Sequence, residues 1–350
     1  MKISAIATRF IERIMMLSGL GPTPMLDTFH AVVVARAIMV GTKLGVFEAS
    51  ATRALDAREM ATRVGAEPVA LRKLLDLLVA TGYMRFRDGR YEPSRVTRRW
   101  LLGKSPRSLH DNMLLRFLEW RAVESTEDFV RTGRSLDVHD FIDGPDWGVY
   151  QRGMRSLARL SAQEVARRVR VPNHAALMLD IGGGHGVYSA AFCRRHPRLR
   201  ATILDLAPAV EAAAPLLAEE GLGDRVVHRI GNALTDELGE RAYDLVFVSH
   251  LVHHFDAATN EKLVRRAARA LRPGGVLAVL DVLRPRSPVT SSQTGAILDL
   301  YFAVTSNSGT WAREEIETWY ENAGLSTGKP LPLQTAPGVT VLTASRASER

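Results

Sequence analysis

The segment LMLDIGGGHGVYS, residues 177–189, constrains this chain more than any other. An apolar run ending on an acid, Asp180, passes directly into Gly182, Gly183, Gly184 and Gly186 and then into a helical pattern. Glycine carries no Cβ, so such a loop can turn through positive φ and let the backbone approach a ligand closely. The texture continues downstream, where the apolar runs ATILDL, RVVHRI, YDLVFVSHL and GVLAVLDVL alternate with amphipathic stretches. Strands separated by helices predict a parallel α/β sheet with crossover helices. The closing stretch PLPLQTAPGVTVLTASR reads instead as two β-rich pieces joined by APG, a hairpin that gives the sheet one antiparallel strand.

The N-terminal part is built differently. Asp56 with Glu59 three positions on is a capping-box signature opening AREMATRV, and GAEP breaks that helix before a second one. In the second helix Leu71, Leu74, Leu75 and Leu78 fall on one face, which predicts a core face. Phe86 and Tyr91 then flank an Asp88-Gly89 pair suited to a tight turn, so MRFRDGRYEP reads as a two-stranded wing. Helix, turn, helix and wing make a winged-helix module. Between it and the sheet, FIDGPDWGVYQRGMRSLARL belongs to a helical connector. With 350 residues, a chain of this length is expected to split into domains. The expected divisions are 1–107 for the winged helix, 108–170 for the connector and 171–350 for the sheet domain.

Residues 1 to 112 hold 18 Lys and Arg against 10 Asp and Glu, so the whole net charge of +8 lies there. A basic N-terminal module allows a nucleic-acid partner in principle, but Arg-rich surfaces in such a chain are more often solvated faces. The single cysteine, Cys193, excludes an internal disulfide and a cysteine-rich zinc site, which fits the cytoplasm. In MKISAIATRFIERIMM, Arg9, Glu12 and Arg13 interrupt the apolar run, so it reads as an amphipathic arm. No window approaches the roughly 18 apolar residues of a membrane span, and no membrane partner is expected.

Two cofactors could use the glycine loop. A dinucleotide fingerprint wants G-x-G-x-x-G/A, and counting from Gly182 or Gly184 the last position is Val187 or Ser189. S-adenosylmethionine brings a sulfonium and an α-amino group, for which the acid Asp180 makes chemical sense. Asp205, ending the second strand, is placed to accept from a ribose diol, which either cofactor would share.

Several further segments, in order, carry a resemblance: DIGGGHG, ILDL, GDRVVHRIGNAL, VSHLVHHFD, LRPGGVLAVLD and GTWAREEIETWYENAGL. With the winged helix they make the chain similar, over nearly its whole length, to the plant-type (caffeate-like) S-adenosylmethionine-dependent small-molecule O-methyltransferases, whose bacterial members modify secondary metabolites. The resemblance implies a Rossmann-like class I methyltransferase sheet, with a homodimer formed through the winged helix. It implies S-adenosylmethionine as cofactor, S-adenosylhomocysteine as product and no metal. By position, Gly182 to Gly186 correspond to the methionine-binding loop, Asp205 and Leu206 to the ribose and adenine contacts, and Asn232 and Ala233 to the pair beside the adenine amine. Phe255 matches an aromatic that packs on adenine. Ser249 falls where the family often has Lys, and His254 where it often has Asp.

The same resemblance places the catalytic base. His250, His253 and His254 lie in one segment, and spacing does not choose among them; the resemblance selects His253, with Asp281 matching the first supporting acid. A phenol is mostly protonated at neutral pH, so a histidine that takes its proton as the methyl arrives is expected to contribute about 10²- to 10⁴-fold. The family's second acid aligns with Thr310, a neutral hydroxyl. Tyr150 and Met154 in the connector, with Tyr301 and Thr305 on a late helix, match positions lining the acceptor pocket. The expected activity is methyl transfer to a hydroxyl of an aromatic or polyketide-like small molecule. C- or N-methylation, or a non-methylating use of the same site, is the first rival; a DNA-binding regulator and an NAD-dependent oxidoreductase are the others.

Overall fold

The structure is a computed structural model describing residues 9–136, 142–287, 289, 293–306 and 308–348. It divides into two compact units, one running to Phe117 and one beginning at Leu118.

The first unit opens with α1 (Phe10–Leu17), α2 (Thr23–Met25), a π-helical turn (Leu26–His30) and α3 (Ala31–Lys43). Helices α4 (Val46–Ala49), α5 (Ala57–Val64) and α6 (Pro68–Ala80) follow, then β1 (Met84–Arg87), β2 (Arg90–Pro93) and α7 (Arg95–Trp100). The start of α5 is a reciprocal cap. Asp56 Oδ1 accepts from the N–H groups of Arg58 and Glu59, each at 2.9 Å, and Glu59 Oε2 accepts from the Asp56 N–H at 2.9 Å. The wing pairs Phe86 with Tyr91, and its turn places Asp88 and Gly89 at φ of 50° and 76°, the backbone that an Asp-Gly pair tolerates best. Leu71, Leu75 and Leu78 of α6 pack with Phe47, Met60 and Tyr91 in the core of this unit, while Leu74 lies at its edge.

One expectation is corrected here. The helical stretch Thr23–Lys43, 21 residues long, is long and apolar enough to cross a membrane by length and composition. The two short helical pieces and α3 join end to end, so an apolar run that Asp27 and Arg36 interrupt on paper becomes one continuous helical segment. Phe29, Val32 and Val33 on it are exposed.

Helix α8 (His110–Glu124) runs through the division, and α9 (Thr126–Thr132) and α10 (Pro145–Arg168) follow. The second unit then alternates strand and helix: β3 (Leu177–Ile181), α11 (Val187–Arg195), β4 (Arg200–Asp205), α12 (Ala207–Ala218), β5 (Val226–Ile230), β6 (Tyr243–Ser249), α13 (Ala257–Ala270) and β7 (Leu271–Val282). Helices α14 (Gln293–Thr305) and α15 (Arg313–Asn322) precede β8 (Ser326–Thr327), β9 (Leu331–Pro332) and β10 (Val339–Ser345). The sheet order is β5-β4-β3-β6-β7-β10-β8, with β9 also on β10. Strands β3 to β7 are mutually parallel, and β10 runs against both β7 and the short strands β8 and β9. One antiparallel strand is thus inserted in an otherwise parallel sheet.

The order reverses direction between β3 and β6, and in open α/β sheets the crevice beyond the carboxyl ends of such strands receives the ligand. Two apolar layers fix the sheet. Met178, Phe247 and Val341 pack with residues of α10 and α11 on one face; Leu179, Val246 and Leu342 pack with residues of α13 and α15 on the other. Because both faces are covered, the central strands read as continuous apolar runs.

Candidate active site

The glycine loop leaves β3 at its carboxyl end. Gly182, Gly184 and Gly186 have φ of 69°, 40° and 73°, the left-handed region where a Cβ is strained. Beneath the loop lies the Asp180 side chain, fully buried, its Oδ2 accepting from the Ser189 hydroxyl at 2.6 Å. Its other oxygen has no hydrogen-bond partner. A Cβ on Gly183 would come 2.4 Å from the Asp180 carboxyl carbon, so the second glycine exists to let the carboxylate sit there. Burial pushes the Asp180 carboxyl up to about 7; the Ser189 hydrogen bond opposes this, and nearby Asp205 adds to it.

Asp205, at the end of β4, ties the loop from the neighbouring strand. Its Oδ2 accepts from the Gly184 N–H at 2.9 Å and its Oδ1 from the Leu206 N–H at 2.8 Å. Leu206 is 46% exposed, an apolar surface beside that carboxylate. His228 on β5 reaches the Gly184 carbonyl through Nε2 at 2.7 Å. Beyond β5, the Asn232 side-chain oxygen accepts from the Leu234 N–H at 2.9 Å, so it shapes its own turn, and Ala233 packs against the core with Phe255.

Strand β6 ends on the buried Ser249, and the chain then turns sharply. His250 sits at φ 50°, and its N–H donates to the Leu280 carbonyl at 2.8 Å. A 3-10 turn (Val252–His254) follows and buries the His253 ring to 3% exposure. Its Nδ1 lies 2.9 and 3.0 Å from the two carboxylate oxygens of Asp281, near the end of β7. Asp281 Oδ1 also accepts from the Val282 N–H at 2.8 Å. Burial pushes the Asp281 carboxyl up, but the imidazoles of His253 and His250 outweigh it and hold the group well below the usual carboxylate range. A ring nitrogen bonded to a carboxylate carries the proton, which leaves Nε2 with the lone pair.

His250 Nδ1 lies 3.8 Å from Asp281 Oδ1. Together His250, His253 and Asp281 offer three ligand atoms within 4.8 Å of one another, a spacing a metal could use. Both Asp281 oxygens already face His253 Nδ1, the arrangement of an orienting acid.

The acceptor-side residues divide. Tyr150 and Met154 are half-buried on α10, with the Tyr150 ring edge-on to Trp147 at 6.0 Å. Tyr301 packs edge-on against Phe302 at 5.4 Å. Thr305 is buried and turns its hydroxyl back to the Tyr301 carbonyl at 2.8 Å. Thr310 is 1% exposed, and both its N–H and its hydroxyl donate to Asp299 Oδ1. A carboxylate therefore does stand beside Thr310, supplied by α14.

Sequence reasoning missed four participants. Phe302 stacks on His253 with ring centroids 3.8 Å apart and an interplanar angle of 21°. Ser189 holds Asp180, Asp299 holds Thr310, and Gln151 lies against Gly184. Ser189 was within reach, as a hydroxyl in the first turn of the helix after the loop; the other three depend on how α10 and α14 fold back on the sheet. His254 is bonded through Nδ1 to the Ser306 hydroxyl at 3.0 Å.

A family profile described as the O-methyltransferase domain matches residues 138–326, and one described as the O-methyltransferase dimerisation domain matches residues 26–103. The 3-hydroxy-5-methyl-1-naphthoate 3-O-methyltransferase of Streptomyces sahachiroi is 26% identical over 87% of this chain and 90% of its own length. The mitomycin biosynthesis 6-O-methyltransferase of Streptomyces lavendulae is 30% identical over 87% of this chain and 88% of its own. Among solved structures, that of the mitomycin 7-O-methyltransferase MmcR superposes with a TM-score of 0.82 at 26% identity, covering 95% of this chain and 99% of that one.

Proposed function

This chain belongs to the O-methyltransferase family that carries a dimerisation domain, and from that premise we propose that it transfers a methyl group from S-adenosylmethionine to a hydroxyl of an aromatic or polyketide-like small molecule. The observation that carries the catalytic part is the buried His253–Asp281 pair at the carboxyl edge of the sheet.

The residues at the loop fit the cofactor. Asp180 keeps one buried oxygen without a partner, and Gly183 and Gly184 make a cradle that any Cβ would fill. Gly182 to Gly186 hold the methionine end, Asp205 and Leu206 the ribose and adenine, and Asn232, Ala233, Ser249 and Phe255 the remaining adenosine side. When bound, S-adenosylmethionine supplies an electrophilic methyl group and leaves as S-adenosylhomocysteine. Holding the acceptor oxygen in line can lower the barrier by roughly 7 to 11 kcal/mol. His253 Nε2 takes the hydroxyl proton as the new oxygen–carbon bond forms, and Asp281 stabilises the resulting imidazolium. Phe302 fixes the ring from its face. Tyr150, Met154 and Tyr301 flank the acceptor, and Thr305 and Thr310 brace the helix that carries Tyr301.

The chain dimerises through the module at residues 26–103. The exposed Phe29, Val32 and Val33 give that module an apolar surface to bury, which supports a dimer contact and not a membrane span for Thr23–Lys43. A cytoplasmic enzyme with no nucleic-acid partner completes the proposal. Divisions at 1–107, 108–170 and 171–350 correspond to dimerisation, acceptor-pocket and cofactor-binding parts.

The test is incubation of the purified chain with methyl-labelled S-adenosylmethionine and a panel of hydroxylated naphthoates and quinones. Label in a methyl ether, with S-adenosylhomocysteine formed in equal amount, is expected. A folded protein that ignores the cofactor at millimolar concentration overturns the proposal, and label on carbon or nitrogen redirects it.

A further inference from the structure

We propose that Gln151, on α10, is a binding residue for the amino-acid end of the cofactor. The inference rests on the cofactor reading above and adds a contact from outside the glycine loop. Gln151 is 4% exposed as a whole residue, and its side-chain amide makes no hydrogen bond to any described residue. Its amide atoms are nevertheless not sealed in the core as the free Asp180 oxygen is, so they face a space that solvent or a ligand can reach, and an amide held there without a protein partner is available to one.

The amide is aimed at the loop. A Cβ on Gly184 would lie 2.6 Å from the Gln151 Oε1 and 3.1 Å from its Nε2. The third glycine therefore makes room for a polar group of α10 as well as for its own φ of 40°. Apart from the free Asp180 oxygen beneath the loop, the polar groups nearby are largely taken up by other partners. One turn further along α10, the two terminal nitrogens of Arg155 are held by Glu219 at 2.6 Å and Glu220 at 3.1 Å, while its Nε is left without a partner. Asp205 is turned to the loop and the Leu206 N–H. His185 accepts from the Val187 N–H, and burial lowers it to about 3, so it stays neutral.

The chemistry selects the ligand group. A carboxamide offers a donor pair on Nε2 and an acceptor on Oε1, which match the carboxylate and the ammonium of an α-amino acid at once. Being neutral, it binds such a zwitterion without repelling either half. Asp205 already serves the ribose, which leaves the amino-acid end for Gln151.

The experiment compares S-adenosylhomocysteine with 5′-methylthioadenosine, which keeps the adenosine and sulfur but lacks the amino acid. Calorimetric titration of the full chain and of Gln151→Met, close in volume, is the measurement; Gln151→Ala repeats it if the methionine variant fails to fold. The expected result is about a tenfold loss of affinity for S-adenosylhomocysteine with 5′-methylthioadenosine unchanged within about twofold. Equal weakening of both ligands, or no weakening of either, overturns the inference while the cofactor reading stands. A wild-type chain that binds neither ligand overturns both.

Discussion

Asp281 meets His253 through both carboxylate oxygens, at 2.9 and 3.0 Å from the same ring nitrogen, across two strand ends that lie side by side in the sheet. Parallel pairing of β6 with β7 brings Ser249 opposite Leu280, so the turn after one strand falls on the last residues of the other. The register of the sheet thus sets the geometry of the pair.

Replacing His253 with Ala is expected to lower kcat by about 10²- to 10⁴-fold. Affinity for S-adenosylhomocysteine should stay within a few-fold, because the ring is engaged by Asp281 and Phe302 and carries no role in the cofactor contacts proposed above. Turnover and calorimetry on the same preparation check this. Wild-type rates in the variant place the base elsewhere.

Asp281→Asn keeps the shape but can offer its amide N–H to the ring, which favours the tautomer that blocks Nε2 as an acceptor. A kcat loss of about a hundredfold or more is expected, with KM little changed. A matching rise in KM without a fall in kcat contradicts an orienting role.

Asp180 makes stability and binding depend on pH. Its carboxyl is raised from 3.8 to about 7 in the fold, so between those values the folded chain holds more protons than the unfolded one. Stability of the ligand-free chain should fall as pH rises from about 4 to about 7, then level off. Asp180→Asn should remove that slope, as seen in melting temperature across the range. A bound cation favours the ionised acid, so affinity for S-adenosylmethionine should increase with pH through the same window. A slope unchanged in the Asn variant assigns the titration to another group.

Gly183→Ala tests the cradle. The new methyl group would overlap the Asp180 carboxyl, which Ser189 pins in place. Destabilisation of about 1 to 3 kcal/mol is expected, together with loss of S-adenosylhomocysteine binding, measured by denaturant titration and calorimetry. Retained binding at wild-type affinity means the carboxylate can move aside.

Glu164, buried on α10, accepts from the N–H groups of Gln334 and Thr335, the Thr335 hydroxyl and Arg168. Burial raises its carboxyl, but these donors outweigh it and lower the group from 4.5 to about 2. Its stabilisation is therefore present above pH 4.5 and lost as pH falls toward 2. Glu164→Ala should cost about 2 kcal/mol or more at pH 7, and the difference from wild type should shrink in urea titrations near pH 3.

Much of this was legible in residues close in sequence. The cap at Asp56, the Asp88-Gly89 turn and the strand-loop-helix at Asp180 each depend on a few neighbouring side chains, and each stands in the structure as its spacing requires. The helix Thr23–Lys43 was not legible as one apolar segment, because its length comes from three helical pieces joined end to end. Family resemblance chose His253 among three histidines; spacing could not. Gln151, Phe302 and Asp299 were not legible, since each acts across a separation set only by the packing of α10 or α14.

The sequence by itself determined where the sheet begins, where its backbone must lack a Cβ, and which strand ends carry acids. These are local demands, met by residue type and period. Which carboxylate meets which imidazole, which amide lies over the loop and which hydroxyls are occupied were decided only by tertiary structure. Strand register and helix packing fix those distances, and no short stretch of chain contains both partners.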